Sequence, residues 1–269
     1  MLIAQITDSH ILAAGETFRG RIDTGAALAR TVGALNALEP RPDLVLFTGD
    51  LADTGTAAEY AHLRDRLAGL TAPLAVVPGN HDRREALRAA FADNPWLPAA
   101  GPLHQVIEGF ALRCIGLDTL VEGEAGGRLD PPTLDWLEGV LAAAPERPTV
   151  IFLHHPPFAT GIGFMDEIGC AGGEGLAAVV ARHPQVERVV CGHVHRPVTL
   201  RWAGTVASIC PAVGHQVALD LRPGADSAFT LEPPAFQLHH WRPGTGLVTH
   251  TAYPDAPAGR YSFATGEAV

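Results

Sequence analysis

The sequence predicts an α/β protein whose central strands are parallel and buried. Five short apolar runs occur along the chain, and segments with helical periodicity separate most of them. Continuous apolar runs of this length are typical of strands that are covered on both faces. Each run is followed within a few residues by side chains that bind metals or move protons. The runs cover residues 2–6, 43–47, 74–77, 149–153 and 186–190.

The helices expected between these runs begin at recognisable signals. Apolar side chains at helical spacing predict a helix over 24–38 with Thr24 as its N-cap. Thr56 and Glu59 form a capping-box pattern that opens a helix ending near residue 67. Further helices are expected at 83–91, 131–144 and 176–182, and a strand pair at 105–107 and 111–117.

The remaining segments lack this alternation. Residues 11–23 and the glycine-rich residues 161–175 are expected to be loops near the site, and the second of them could also lie at a subunit contact. From residue 198 onward, short strands separated by Gly and Pro predict antiparallel β structure.

Composition excludes several kinds of chemistry. All 19 basic residues are arginine, which removes Schiff-base lysines and a phosphate-loop lysine. No Gly-x-Ser-x-Gly elbow supports a serine hydrolase. A net charge of -10 argues against stable nucleic-acid binding through a broad basic face. The four cysteines are scattered, and the N-terminus carries no leader pattern, so we expect a cytoplasmic protein with no membrane attachment.

The polar residues after the apolar runs form a candidate metal site. Because parallel strands end at one edge of their sheet, these side chains should meet there. Nitrogen and oxygen donors of this kind suit Fe, Mn, Zn or Co without selecting one metal. Nine candidates are too many for one ion and point to two. They are Asp8, His10, Asp50, Asn80, His81, His154, His155, His193 and His195.

Five sequence blocks resemble those of the calcineurin-like metallophosphoesterases. They are Asp8-x-His10, Gly49-Asp50, Gly79-Asn80-His81-Asp82, His154-His155-Pro156 and Gly192-His193-x-His195, and the resemblance covers about residues 1–200. Residues 18–23, 161–175 and 211–216 also look like those of the bacterial class III cyclic nucleotide phosphodiesterases and glycerophosphodiesterases.

The resemblance implies a role for each block residue. Asp8, His10 and His195 would hold one metal ion, Asn80, His154 and His193 the second, and Asp50 would bridge them. His154 is preferred over its neighbour because the block is written His-x-Pro. His81 would stabilise the transition state or act as a general acid and contact substrate, and Asp82 would orient it. Gly79 would permit a tight approach, and His215 would bind the substrate phosphate.

The resemblance also implies an architecture. It is a four-layer α/β/β/α sandwich with two mixed sheets and a small cap or C-terminal β extension. Residues 1–200 would form the catalytic core. Residues 201–269 would complete the second sheet and contribute to a cap or a dimerisation element within the same structural domain. The protein would then be a homo-oligomer, either a dimer or a larger assembly.

The expected function is hydrolysis of a small phosphodiester, either a 3',5'-cyclic nucleotide or a glycerophosphodiester, by a metal-activated hydroxide. The alternatives are a phosphomonoesterase or nuclease of the same fold, or a non-catalytic metal-binding scaffold. Arg19, Arg21 and Arg196 resemble phosphate-binding forks, but loop arginines are usually solvated, and we expect that of these three.

Overall fold

Two β-sheets pack face to face, and helices cover the outer face of each. The computed structural model describes residues 1–255 and 259–268. One apolar cluster lies between the sheets and includes Ile3, Leu46 and Phe152. Two further clusters join one sheet to the first three helices and the other sheet to the later helices. This is the expected four-layer α/β/β/α sandwich.

The helices lie on the two outer layers. The first three pack on the first sheet, and the last three lie with the second. Their bounds are α1 Thr24–Asn36, α2 Ala57–Leu67, α3 Arg84–Ala90, α4 Pro131–Ala142, α5 Gly163–Asp166 and α6 Gly173–Ala181.

The first sheet has the order β15-β14-β1-β2-β3. Its three N-terminal strands are parallel, whereas β14 and β15 run antiparallel to their neighbours. The strands are β1 Leu2–Ile6, β2 Leu44–Thr48, β3 Leu74–Val77, β14 Phe236–Arg242 and β15 Gly246–Ala252.

The second sheet has the order β10-β11-β9-β7-β5-β4, with antiparallel strands at both edges and parallel strands between them. The strands are β4 Gln105–Ile107, β5 Arg113–Leu117, β7 Thr149–Leu153, β9 Val186–Cys191, β10 Val198–Trp202 and β11 Thr205–Ile209. Two small ladders stand apart from the sheets. They pair β6 Gly127–Arg128 with β8 Cys170–Ala171, and β12 Gln216–Val217 with β13 Phe229–Thr230.

The C-terminal strands are divided between the sheets, which corrects the expectation that they complete the second sheet. Only β10 and β11 join it, whereas β14 and β15 extend the first sheet past β1. The β14 strand covers the edge of β1, and the fully buried ring of His239 lies 3.1 Å from the side-chain oxygen of Gln5. Residues 256–258 and 269 of the predicted extension lie outside the described residues.

Two helix starts test the capping signals. The capping box of Thr56 and Glu59 is confirmed, because each side chain accepts a hydrogen bond from the backbone of the other residue. The prediction of Thr24 as an N-cap is wrong. Asp23 caps α1 by accepting a hydrogen bond from Ala26 N at 2.8 Å, and Thr24 is buried as the first helical residue.

Residues 161–175 are more structured than the predicted loop. They contain α5, β8 and the start of α6. The Asp166 carboxylate closes the turn before α5 by accepting hydrogen bonds from Thr160 N and Oγ1 and from Gly161 N. Such a compact turn leaves little periodicity in the sequence. Across the described part of the chain, no helix has both the length and the apolar character needed to cross a bilayer.

Candidate metal centre

The carboxyl ends of five strands converge at one edge of the facing sheets, and each delivers candidate ligands. The loop after β1 carries Asp8 and His10, and the loop after β9 carries His193 and His195. The loops after β2, β3 and β7 each add one more candidate. All seven sequence-predicted metal ligands meet there, namely Asp8, His10, Asp50, Asn80, His154, His193 and His195.

Asp50 lies at the centre of this group. Its Oδ2 atom is 3.6 Å from His10 Nε2 on one side and 3.4 Å from His154 Nε2 on the other. Its Oδ1 atom accepts a hydrogen bond from the backbone of His81 at 2.9 Å. The carboxylate is therefore held by the loop after β3 and presents one oxygen to both halves of the site.

The first half of the site contains two imidazoles and two carboxylates. His195 Nε2 lies 3.1 Å from Asp8 Oδ1 and 3.2 Å from His10 Nε2. Single ligand atoms of Asp8, His10, Asp50 and His195 all lie within 4.8 Å of one another, and all four residues are buried.

The second half is centred on the amide of Asn80. Its Oδ1 atom lies 3.1 Å from His154 Nε2 and 3.1 Å from His193 Nδ1. With Asp50 Oδ2 beside His154, this half offers two ring nitrogens and two oxygens.

The outer nitrogen of each imidazole faces an oxygen atom. His154 Nδ1 is 2.8 Å from Thr48 O, His195 Nδ1 is 3.0 Å from His215 O, and His193 Nε2 is 3.0 Å from Ile168 O. A ring that donates its outer N–H to such an oxygen keeps a lone pair on its inner nitrogen. Bare nitrogens and carboxylate oxygens then face each other at 3.1 to 3.6 Å, an arrangement that cations stabilise.

The backbone at these positions is strained. Five ligand candidates have left-handed φ angles between 43° and 71°, which residues other than glycine rarely adopt. Such conformations cost about 1–3 kcal/mol each and persist where the surrounding structure enforces them. They are Asp8, His10, Asp50, His193 and His195. The strain therefore coincides with the candidate metal centre.

Two glycines allow the loops to approach this closely. A Cβ atom on Gly79 would overlap the carboxylate of Asp50, and one on Gly192 would overlap the side chains of Thr7 and Asp8. The expectation that Gly79 permits a tight approach agrees with this packing.

The acidic and basic groups shift one another's proton affinities. Burial opposes ionisation of Asp8, but His195 outweighs it and lowers the pKa of Asp8 to about 2. Burial lowers the pKa of His154, but the charge of Asp50 prevails and raises it to about 9. Burial and the neighbouring His154 lower the pKa of His193 to about 3. The negative charges of Asp50 and Asp8, which favour the protonated form of His154, would equally attract a cation.

His154 and His155 have separate environments. His155 Nδ1 lies 2.8 Å from Thr119 Oγ1, and its Nε2 lies 3.3 Å from Ala125 O. Its ring nitrogens come within 4.8 Å of those of His154 and His193, but both already have oxygen partners. His154 is the member of the pair that faces Asp50 and Asn80.

Asp82 does not contact the His81 ring, which corrects the expectation that it orients this histidine. Its buried carboxylate accepts hydrogen bonds from Gly79 N, Leu51 N, Ala52 N and Tyr60 Oη. These contacts join the loops that follow β2 and β3. Four donors satisfy the carboxylate there, and Asp82 therefore supports Asp50 and Asn80 through the backbone.

Asp53 has the contact that was expected of Asp82, and the sequence analysis did not identify it. Its carbonyl oxygen lies 2.6 Å from His81 Nδ1, and its Oδ1 lies 3.2 Å from His10 Nδ1. Asp53 follows the Gly49-Asp50 block by three residues, a spacing that could have suggested it. Burial lowers the pKa of His81, but Asp50 and Asp53 outweigh it and raise that pKa.

A cavity of about 450 Å³ opens onto the centre. Its polar wall includes His81, Asn80 and His215, and its apolar wall includes Phe164 and Phe229. His215 packs against His195 with ring centroids 4.7 Å apart. Residues 166–175 help to line a larger cavity of about 1000 Å³, and none of the seven ligand candidates lines it.

The fold and site together define a two-metal hydrolase of the α/β/β/α type. A model of the calcineurin-like phosphoesterase family matches residues 1–197. The chain belongs to this family.

Named relatives cover most of the chain. It is 40% identical over 264 residues to a protein of Arcobacter nitrofigilis named "Probable glycerophosphodiester phosphodiesterase GpdQ", covering 98% of this chain and 97% of that one. It is 34% identical over 202 residues to the 3',5'-cyclic adenosine monophosphate phosphodiesterase CpdA of Escherichia coli, covering 75% and 72%.

The fold agrees with solved structures. A dimetal phosphatase of Danio rerio superposes with a TM-score of 0.63 at 15% identity, covering 94% of this chain and 98% of that one. A purple acid phosphatase of yellow lupin gives a TM-score of 0.67 at 14% identity, covering 100% and 52%. At this identity the likeness concerns the fold alone.

Proposed function

We propose that this protein is a metal-dependent phosphodiesterase that hydrolyses a small phosphodiester. The position of Asp50 Oδ2, between His10 Nε2 at 3.6 Å and His154 Nε2 at 3.4 Å, is the observation that carries the proposal. It suits a carboxylate shared by two ions, with Asp8, His10 and His195 holding one and Asn80, His154 and His193 the other. Two bound ions supply Lewis-acid stabilisation of phosphoryl charge and lower the pKa of water.

His81 is proposed as the general acid at the leaving group. Its Nδ1 donates to the Asp53 carbonyl, which leaves Nε2 to serve the cavity that His81 lines. In the metal-free chain, burial lowers its pKa, but the negative charges of Asp50 and Asp53 outweigh burial and raise that pKa. Protonated His81 can donate its Nε2 proton to the departing alkoxide or stabilise its charge. His215, on the adjacent wall, is proposed to contact the phosphate.

Substitution of His81 separates this role from metal binding. The change His81→Ala should leave metal content unchanged and lower kcat by about 10²–10⁴-fold, the usual contribution of a general acid. The loss should be smaller for a p-nitrophenyl ester, whose leaving group needs little protonation, than for an alkyl ester. The control is His250→Ala, which alters an exposed histidine of β15. Loss of metal from His81→Ala would place His81 among the ligands and contradict the assignment.

The bridging role of Asp50 has a direct test. Asp50→Asn should lose most of both metal content, measured by elemental analysis, and turnover. Asp93→Asn, at an exposed carboxylate, should retain both. Near-normal turnover of Asp50→Asn would disprove the bridge.

The substrate class is tested with paired esters. The relatives named for glycerophosphodiester and cyclic-nucleotide hydrolysis support a diester, and we propose one of these two classes. Bis-p-nitrophenyl phosphate should be hydrolysed with higher kcat/KM than p-nitrophenyl phosphate. Higher kcat/KM on the monoester would favour a phosphomonoesterase, and preference for long single-stranded DNA a nuclease. A purified chain without metal or turnover would favour a non-catalytic scaffold.

Four further features are proposed with this function. The ions are drawn from Fe, Mn, Zn and Co, which all accept nitrogen and oxygen ligands. Residues 1–200 act as the catalytic core, and residues 11–23, 161–175 and 201–269 contribute to a self-association surface for a dimer or larger oligomer. We also propose a cytoplasmic location. Elemental analysis, light scattering and cell fractionation test these features.

A further inference from the structure

Arg19 lies at the rim of the cavity that opens onto the metal centre. It belongs to a tight turn in which Phe18 and Ile22 pair through their backbones. Arg19 lines the cavity together with His81 and His215, although the arginine itself is exposed. Its place in the cavity wall differs from the expectation of a merely solvated arginine.

A stack of rings leads from the metal centre to Arg19. The ring of His195 is 4.7 Å from that of His215, which stacks on Phe18 at 4.4 Å with an interplanar angle of 15°. The guanidinium carbon of Arg19 lies 5.5 Å from the centroid of the Phe18 ring. The Phe18 ring is also 6.1 Å from the ring of His10, so one ring layer separates Arg19 from the nearest candidate ligand. Arg19 is thus one ring removed from the candidate ligands, in a position to contact what would extend beyond the reacting phosphoryl group.

Arg19 is also a cation without a carboxylate partner among the described residues. The two carboxylates that line the cavity, Asp50 and Asp53, already face histidine rings. Arg19 further holds a left-handed φ of 51°, an uncommon conformation for a long side chain. A free guanidinium fork at a cavity mouth suits carboxylate or phosphate oxygens.

We propose that Arg19 is a specificity-determining residue that selects phosphodiesters carrying a second anionic group on the non-reacting alcohol. This second group is a carboxylate or a phosphate monoester. The guanidinium, which lies over the Phe18 ring, holds it while the diester reacts at the metal centre. This inference rests on the proposed phosphodiesterase function. It assigns Arg19 to substrate selection, because the guanidinium lies over the Phe18 ring at the edge of the cavity.

Matched synthetic esters test the proposal. Each is a p-nitrophenyl alkyl phosphate whose alkyl chain ends in a carboxylate, a phosphate or a neutral carboxamide, so that every substrate releases the same leaving group. Wild-type enzyme loaded with manganese should hydrolyse the carboxylate and phosphate esters with a kcat/KM about tenfold higher than that of the carboxamide ester. A charge-assisted contact at a partly exposed site would give a difference of this size. This preference should come from a lower KM for the charged esters.

Two variants complete the design. Arg19→Gln should reduce the preference to about onefold, because kcat/KM should fall by a larger factor for the two charged esters than for the carboxamide ester. Arg21→Gln is the matched control, because Arg21 is an exposed arginine of the same turn that does not line the cavity. It should retain the wild-type preference. If Arg19→Gln lost the preference for only one of the two charged esters, that ester would identify the group that Arg19 selects.

Three outcomes would overturn the inference. An equal fall in kcat/KM for all three esters in Arg19→Gln would place Arg19 at the reacting phosphoryl group. An unchanged preference in Arg19→Gln, or no preference in the wild type, would show that Arg19 is solvated. If metal-loaded wild-type enzyme hydrolysed neither these esters nor bis-p-nitrophenyl phosphate, the proposed function itself would fail, and the inference would fall with it.

Discussion

Asp53 connects two histidines with different proposed tasks. Its carboxylate lies 3.2 Å from Nδ1 of His10, whose other nitrogen faces the metal centre, and its carbonyl holds the ring of His81. A carboxylate that accepts the outer N–H of a ligating histidine orients the ring and increases its basicity. With the roles proposed for these histidines, Asp53 would act on the metal centre through the charge that it places beside His10, and on the leaving group through His81.

The change Asp53→Asn tests the first of these links. The amide keeps the backbone carbonyl beneath His81 but removes the negative charge beside His10. Metal affinity should fall by about 10–100-fold, the usual effect of losing such a partner, measured by titration with Mn²⁺. Excess metal should restore much of kcat, because His81 is still held. An unchanged affinity would show that the contact between Asp53 and His10 has no effect on metal binding.

The positions of single residues could be predicted where the neighbouring sequence indicates the structural element that they follow. Asp8 and His193 follow apolar runs within three residues, so their place at the sheet edge could be inferred from the sequence. The partner of His81 could not be inferred in this way. Asp82 is its neighbour in sequence, but the carboxylate turns inward to backbone donors, and Asp53 from the preceding loop reaches the ring instead.

At the scale of elements, a buried hydrogen bond joins the loop after β3 to α2. Tyr60 of α2 is buried, and its hydroxyl donates to Asp82 Oδ1 at 2.8 Å. Burial and the negative charge of Asp50 raise the pKa of Asp82 to about 6, whereas the hydrogen bonds it accepts favour ionisation. The helix thereby contributes to the position of the loop that bears Asp50.

Tyr60→Phe should weaken this connection without leaving a cavity. Losing the hydroxyl donor to a buried carboxylate should lower the free energy of unfolding by about 1–3 kcal/mol at pH 7.5, measured with urea. The donor stabilises the ionised carboxylate, so its contribution is present above pH 6 and diminishes as pH falls through about 6. The difference in the free energy of unfolding between variant and wild type should therefore narrow as the pH falls. Tyr253→Phe, at an exposed tyrosine, is the control, and a difference that widened in acid would contradict this account.

Elements were predictable from sequence to within a few residues where apolar periodicity defined them, as in β1, β3 and β7. Sheet membership was harder to predict. Nothing in the residues of β14 specifies that it pairs with β1 rather than with a strand of the second sheet, because that choice depends on contacts such as His239 with Gln5. The short helix α5 was also missed, because the carboxylate that closes the turn before it belongs to Asp166, which follows that turn as the last residue of the helix.

At the scale of the whole molecule, both sheets depend on strands from the C-terminal part of the chain. The β11 strand pairs with β9, which ends at the metal centre, and β14 pairs with β1, which bears Asp8 and His10 at its end. The proposed core of residues 1–200 therefore lacks the neighbours of two strands that position ligands. Exposed strand edges of this kind favour aggregation.

A chain truncated after residue 200 should fail to fold. We expect it to be insoluble or to lack a cooperative thermal transition by circular dichroism. The control is a chain ending at residue 255, which keeps β14 and β15 and should melt within a few degrees of the full chain. Cooperative folding of the shorter chain would show that residues 1–200 are an independent domain.

Metal binding and protonation should compete throughout the centre. His154 keeps a proton up to a pKa of about 9 in the absence of metal, because Asp50 and Asp8 outweigh its burial. Burial lowers the pKa values of His193 and His10, so these rings are already neutral near pH 7. Among these three rings, binding of metal near neutral pH should therefore release one proton, from His154.

The sign of the pH dependence follows from this competition. Without metal, the raised pKa of His154 stabilises the folded chain fully below about pH 6.5, and that contribution is lost as pH rises towards 9. With metal, affinity should increase about tenfold per pH unit across the same interval, because one proton no longer has to be displaced.

The difference in Tm between metal-loaded and chelated protein should therefore widen from pH 6.5 to 9. Calorimetric titration in two buffers of different ionisation enthalpy should detect the released proton. A difference in Tm that stayed constant or narrowed would mean that the metals do not displace the proton of His154.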